Sequence, residues 1–264
     1  MTLDGVAVVT GAGGSIGGAV ARRLLAEGAR IAAADVDAAG LERLRAELGA
    51  DPSRARTYQV DLSLTDEVTR WSRAVLDDFG QADFLLNVAG GDVRSRGSAA
   101  HPPGLRPIET LDDDDWLGTL QANLTSAFLC CRAFTPHLKE RQTGRIVNFA
   151  SFATRHGSNR VGVHYAAAKG GIVGLTKTLA LELGPFGVAV NALAPGDIPG
   201  ERRAATRAEL FTTEQEAALL ARIPLGRVGT PDEIASVVAV LCSEAGSYVT
   251  GMVLDVNGGL YIGP

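Results

Sequence analysis

The sequence predicts an α/β protein: one Rossmann-like, doubly wound parallel sheet of about seven strands, with helices on both faces. Three observations point there. Short runs of consecutive apolar residues alternate with longer helical patterns along the chain. These runs do not alternate with polar residues, as the strands of a half-wetted sheet do, so both faces of the sheet must be covered. No repeat, low-complexity tract or long linker divides the 264 residues, which places residues 1–264 in one domain.

The elements follow in order. Val6–Val9 reads as a strand, and Ala19–Glu27 as a helix with Val20, Leu24 and Leu25 on its apolar side. Arg30–Ala34 is the second strand, Leu41–Leu48 a helix, Thr57–Val60 a strand and Asp66–Phe79 a helix. Phe84–Asn87 is the fourth strand, and Asp113–Lys139 holds a long helix, with room for a short one before it. Arg145–Phe149 and Val188–Leu193 are strands around the helix Tyr165–Leu183. Pro231–Leu241 is a last helix and Met252–Val256 a last strand. Two irregular segments, Gly91–Pro107 and Gly196–Ile223, each follow a strand C-terminus, where ligands bind in open α/β sheets. They are expected to form the substrate rim.

Composition narrows the function. Apolar residues make up 46% and charged residues 21%, and the net charge is −5, which points to no nucleic acid and no anionic membrane surface. No run reaches the roughly 20 apolar residues of a spanning helix. The first residues lack the basic and apolar regions of a secretory signal. Cys130, Cys131 and Cys242 are odd in number with two adjacent, which fits a reducing, cytoplasmic setting. The four histidines are scattered, so no metal site is expected.

The first strand runs into Gly11-Ala12-Gly13-Gly14-Ser15-Ile16-Gly17 and then a helix. Glycines let the backbone approach a pyrophosphate, and the helix N-terminus offers it N–H groups and partial positive charge. The string alone would also suit a plain turn; flanking strand and helix make it a dinucleotide site. Asp35 ends the second strand, where a carboxylate accepts from ribose hydroxyls and repels a 2′-phosphate, so NAD is expected rather than NADP. Asp61 and Leu62 end the third strand; Asn87, Ala89 and Gly90 end the fourth, where small residues let the chain lie against an adenosine.

Tyr165 and Lys169 stand one helical turn apart. An ammonium beside a phenol favours the phenolate and makes tyrosine a usable base. By itself the pair equally suits a core tyrosine and a surface lysine. Context resolves this. Thr10–Gly17 (TGAGGSIG), Asn87–Gly90 (NVAG), Asn123 in QANLTSAF and Ser151 ending IVNFAS come first in the chain. Tyr165–Lys169 (YAAAK), Ala194–Ile198 (APGDI), Pro224–Ala235 and Tyr248–Gly259 follow in order. Together they resemble the short-chain dehydrogenase/reductase family over nearly the whole chain.

The resemblance implies hydride transfer between NAD(H) and a secondary alcohol or ketone. Tyr165 would move the hydroxyl proton and Ser151 would hydrogen-bond the substrate oxygen. Lys169 would bind the nicotinamide ribose, and Asn123 would complete a proton relay. Pro195, Gly196 and Ile198 would contact the cofactor. The sequence departs from the pattern at Ser15, where a glycine is usual, and at Val88, where an asparagine is. It has one extra residue between Ser151 and Tyr165, and Pro199-Gly200 where a threonine often stands.

Local similarity extends to dehydrogenases of cis-diol cyclohexadiene carboxylates and to 3-oxoacyl-thioester reductases. The second would imply NADPH; a non-catalytic dinucleotide-binding protein is a third reading. Arg94, Arg96, His101, Arg106, Arg155, His156 and Arg160 fall near the rim, and Arg155 or Arg160 would suit an anionic substrate, although all suit a solvated surface. His156 and His164 read as loop and packing residues. The resemblance implies a homotetramer or homodimer, with Leu124, Phe128 and Leu175 in core or interface.

Overall fold

The structure, a computed structural model, describes residues 2–49, 51–91, 107–157, 161–200 and 212–263. Among these, seven strands form one parallel sheet in the order β3-β2-β1-β4-β5-β6-β7. They are β1 Val6–Thr10, β2 Arg30–Asp35, β3 Ala55–Gln59, β4 Phe84–Asn87, β5 Gly144–Phe149, β6 Val188–Pro195 and β7 Val253–Val256. The order reverses between β1 and β4, and a crevice opens there at the strand C-termini. The helices are α1 Ser15–Ala26, α2 Ala38–Leu48, α3 Thr65–Phe79, α4 Asp113–Leu120, α5 Ser126–Arg141, α6 Ala153–His156, α7 Val163–Leu183, α8 Thr213–Leu220 and α9 Pro231–Cys242.

Alternate residues of each strand feed two cores. Ala7, Val9, Ile31 and Ala33 face α1 and α9, through Val20, Leu24, Ile234 and Val238. Val6, Val8, Ala32 and Ala34 face the opposite layer, with Trp71 and Val75 of α3, Phe134 and Leu138 of α5 and Leu183 of α7. Trp71 and Phe134 meet edge to face at 5.5 Å. Burial of this kind on both faces is why the strands read as unbroken apolar runs.

The structure has the long helix expected within Asp113–Lys139 and a short one before it. Asp112 caps α4, its side chain accepting from the Asp115 N–H at 2.7 Å. A π-helical turn over Gln121–Thr125 then joins α4 to α5. Apolar periodicity ran through both helices, so a wider turn with no breaker residue left no mark. Helix α1 starts at Ser15, earlier than expected, because Gly17 and Gly18 lie inside its first turn.

Candidate active site

The crevice is a cleft of about 710 Å³. Gly11, Gly14, Ser15, Ile16, Gly17, Asp35, Asp61, Leu62, Ala89, Gly90 and Ile198 all line it. The glycine string is as tight as its composition suggested. Gly11 is left-handed, with φ +63°, and a Cβ there would lie 2.8 Å from the Ala89 backbone. A Cβ on Gly17 would stand closer still to the Gly11 carbonyl. Thr10 locks the two strand ends together: its hydroxyl donates to the Leu86 carbonyl at 3.2 Å and accepts from the Ala89 N–H at 3.1 Å.

Gly18 N–H donates to the Gly14 carbonyl at 2.8 Å and opens the intrahelical ladder. The N–H groups of Ser15, Ile16 and Gly17 precede that ladder at the positive end of α1 and line the cleft. This cradle fits a pyrophosphate. Ser15 meets the loop after β6: a Cβ on Gly200 would fall 2.7 Å from the Ser15 Cβ. The residue at 200 must therefore stay small while a serine stands at 15.

Asp35 sits at the mouth of this cradle. One carboxylate oxygen accepts from the Gly13 N–H and the other from the Asp37 N–H, both at 2.9 Å. Val36 and Asp37 complete this side of the cleft. Asp61 turns its own loop, accepting from the Ser63 N–H at 2.9 Å and the Ser63 hydroxyl at 2.6 Å.

The polar centre lies between α7, β5 and the π-helical turn. Tyr165 and Lys169 occupy one face of α7, with the Lys169 Nζ 5.8 Å from the Tyr165 ring centroid. Lys169 is buried and donates to the Phe149 carbonyl at 2.8 Å. Desolvation lowers its pKa to about 8. Asn123 is 1% exposed; its amide nitrogen donates to the Gly91 and Thr119 carbonyls, and its amide oxygen accepts from the Gly91 N–H at 2.9 Å. Gly90 lies between them: a Cβ there would reach 3.3 Å from Lys169 Nζ and crowd the Asn123 oxygen. Ser151 is buried at the end of β5, its hydroxyl accepting from the Ala153 N–H at 3.2 Å.

Asn123, Ser151, Tyr165 and Lys169 are not among the residues that line the 710 Å³ cleft, and neither are Asn87, Pro195, Gly196, Arg155 and His164. Asn87 is buried and donates to Asn148 at 2.8 Å and Cys131 at 3.3 Å. The Pro195 carbonyl accepts from the Phe152 N–H at 3.1 Å, and Gly196 packs on Asn257. Arg155 is ion-paired with Asp255. His164 is buried in the first turn of α7, against Gly162. Arg94, Arg96, His101, Arg106, Arg160, the His156 side chain and residues 92–106 and 201–211 of the rim segments lie outside the described residues.

Sequence reasoning missed Gly118, Gln121, Ala122 and Ser126, which close the cleft from α4, the π-helical turn and the start of α5. Their only signal was proximity to Asn123. Among the described residues no cluster of His, Cys, Asp and Glu is built to hold a metal, and no helix is long and apolar enough to cross a membrane.

The family model described as Enoyl-(Acyl carrier protein) reductase matches residues 11–261. The 2,3-dihydroxy-2,3-dihydro-p-cumate dehydrogenase of Pseudomonas putida is 39% identical over 261 residues, covering 98% of this chain and 95% of that protein. The D-threitol dehydrogenase of Mycolicibacterium smegmatis is 38% identical over 261 residues, covering 98% and 94%. The solved 3-ketoacyl-(acyl-carrier-protein) reductase from Brucella melitensis, complexed with NADH, superposes with TM-score 0.82 at 32% identity. That match covers 97% of this chain and 98% of the other.

Proposed function

The chain belongs to the short-chain dehydrogenase/reductase family, and from that premise we propose that it uses NAD to oxidise a vicinal diol. As a member it is an NAD(P)-dependent oxidoreductase moving hydride between cofactor and a carbinol carbon. The observation that carries the choice of NAD is the Asp35 carboxylate, held toward the cleft by the Gly13 and Asp37 N–H groups. A fixed anion there accepts from two ribose hydroxyls and opposes a 2′-phosphate. The diol follows from the names of the threitol and dihydro-cumate relatives.

Each side chain has a role in this reading. The α1 N-terminus and Gly11–Gly17 hold the pyrophosphate. The bound cofactor accepts the hydride. Tyr165 takes the hydroxyl proton as the carbon loses hydride, and Ser151 donates to the same oxygen. Lys169, when charged, stabilises negative charge on the Tyr165 oxygen and holds the ribose beside it. Asn123 fixes Gly91 at the root of the rim. The protein works in the cytoplasm as a homotetramer or homodimer, a setting that its three free, buried cysteines fit.

The test is fluorescence titration with NADH and NADPH, followed by NAD⁺ reduction with cyclic cis-diols. NADH binding at least tenfold tighter is expected, with the gap narrowed in Asp35→Ala. Tighter NADPH binding would overturn it and favour a second reading, reduction of a 3-oxoacyl thioester, which the Brucella relative supports. In Tyr165→Phe, NADH binding should persist and turnover vanish; turnover that survives would remove Tyr165 from the mechanism.

A further inference from the structure

We infer that Arg155 and Asp255 are positioning residues for the reaction centre: their ion pair fixes the turn that carries Ser151 to the edge strand of the sheet. The inference rests on the reading of Ser151 as donor to the substrate oxygen.

Ser151 lies beyond the end of β5 and begins a turn that continues as α6. Local bonds close that turn. The Ser151 carbonyl accepts from the Thr154 N–H at 3.1 Å and the Thr154 hydroxyl at 2.7 Å. The Arg155 N–H donates to the Phe152 carbonyl at 2.9 Å. A helix of 4 residues cannot hold its own place. Something outside it must do so.

The Phe152 N–H, which donates to the Pro195 carbonyl at 3.1 Å, ties the turn to β6, and Arg155 supplies a second tie. It reaches past β6 to β7, donating from Nε to Asp255 Oδ1 at 3.0 Å while Nη2 stands 3.0 Å from Oδ2. Nη2 also donates to the Val253 carbonyl. The guanidinium lies 5.9 Å from the Tyr261 ring centroid, so the C-terminal tail shields it. The two side chains are 23% and 28% exposed. A shielded, two-pronged pair constrains geometry far better than a solvated surface pair. β7 is itself registered on β6, Leu193 opposite Leu254 and Ala194 opposite Asp255. The fork thus refers the serine turn to the sheet.

Asp255 and the Val253 carbonyl take the Nε and Nη2 groups of Arg155, so an anionic substrate would be left with Nη1. Displacing a catalytic group by about 1 Å costs on the order of 100-fold in rate, so loosening this turn is read in kcat.

The experiment compares wild type with Arg155→Lys, Arg155→Ala, Asp255→Asn and the exchanged pair Arg155→Asp with Asp255→Arg. Three readouts are NAD⁺ reduction with cis-cyclohexane-1,2-diol, NADH affinity by fluorescence, and hydrogen exchange across residues 151–157. Arg155→Ala and Asp255→Asn should lower kcat tenfold or more while diol KM and NADH Kd stay within twofold. Exchange should quicken in residues 151–157 and at β7, and not in the glycine loop. Arg155→Lys and the exchanged pair should recover part of the loss. Unchanged kcat, a raised KM with kcat intact, or unchanged exchange would each overturn the inference; the second would make Arg155 a substrate ligand. If wild type binds NADH without oxidising the diol, the diol reading fails and exchange alone decides the clamp. If Ser151→Ala keeps full kcat, the serine reading falls and the positioning role with it.

Discussion

At Lys169, burial and charge oppose each other. Water is excluded around the ammonium, and the Phe149 carbonyl is its hydrogen-bond acceptor. The native pKa of about 8 lies below the ordinary 10.5, so between those values the unfolded chain binds the extra proton. Stability must therefore rise with pH across that window. Below it the full burial penalty remains, on the order of 3 kcal/mol. Urea midpoints of wild type should climb from pH 8 to pH 10 relative to those of Lys169→Met; parallel curves would refute the buried charge. In the same variant kcat should fall 100-fold or more, because nothing would then stabilise charge on Tyr165. Tyr165 and Lys169 were expected from the ordered motifs around them, since the one-turn spacing alone also suits a core tyrosine and a surface lysine. The burial that tunes Lys169 was not, since it comes from β5 and the π-helical turn, distant in the chain.

Between elements, two of the chain's departures from the family pattern explain each other. Ser15 opens α1 and Gly200 follows β6, and the serine side chain fills the space a side chain at 200 would need. Gly200→Ala should weaken NADH binding tenfold or more in a fluorescence titration. Adding Ser15→Gly should restore it, because the clash is with that side chain. Equal affinities in all three chains would make the contact incidental. Strands were the most legible elements: the inner ones are buried on both faces, and all seven fell within two residues of their expected places, although the edge strand β3 has no buried residue. Helix ends were less so, because Gly17 and Gly18 enter α1 where glycine ordinarily signals a loop. The π-helical joint at Gln121–Thr125 could not be read, because hydrogen-bond spacing leaves no trace in an unbroken apolar pattern.

Across the whole molecule, exposed apolar side chains mark where a second copy would sit. Trp116, Leu117 and Phe128 stand out on α4 and α5, with Phe128 44% exposed beneath the Arg132 guanidinium. Side chains of this size are costly to leave in water, and an isologous helix pair would cover them. Light scattering should give an even multiple of the chain mass, and Phe128→Glu should reduce it with NADH affinity unchanged. A monomeric wild type would refute this. The π-helical turn at Gln121–Thr125 has a consequence of another kind. A regular helix advances about 100° per residue, so one added residue would rotate everything beyond it. The wide turn absorbs that rotation. The α5 stripe of Phe134 and Leu138 keeps its phase against the sheet, while Gln121 and Ala122 face the cleft on a phase of their own. The crevice half of this helix pair can therefore be recut by mutation for a different guest, residue by residue, without disturbing the half that holds the molecule together.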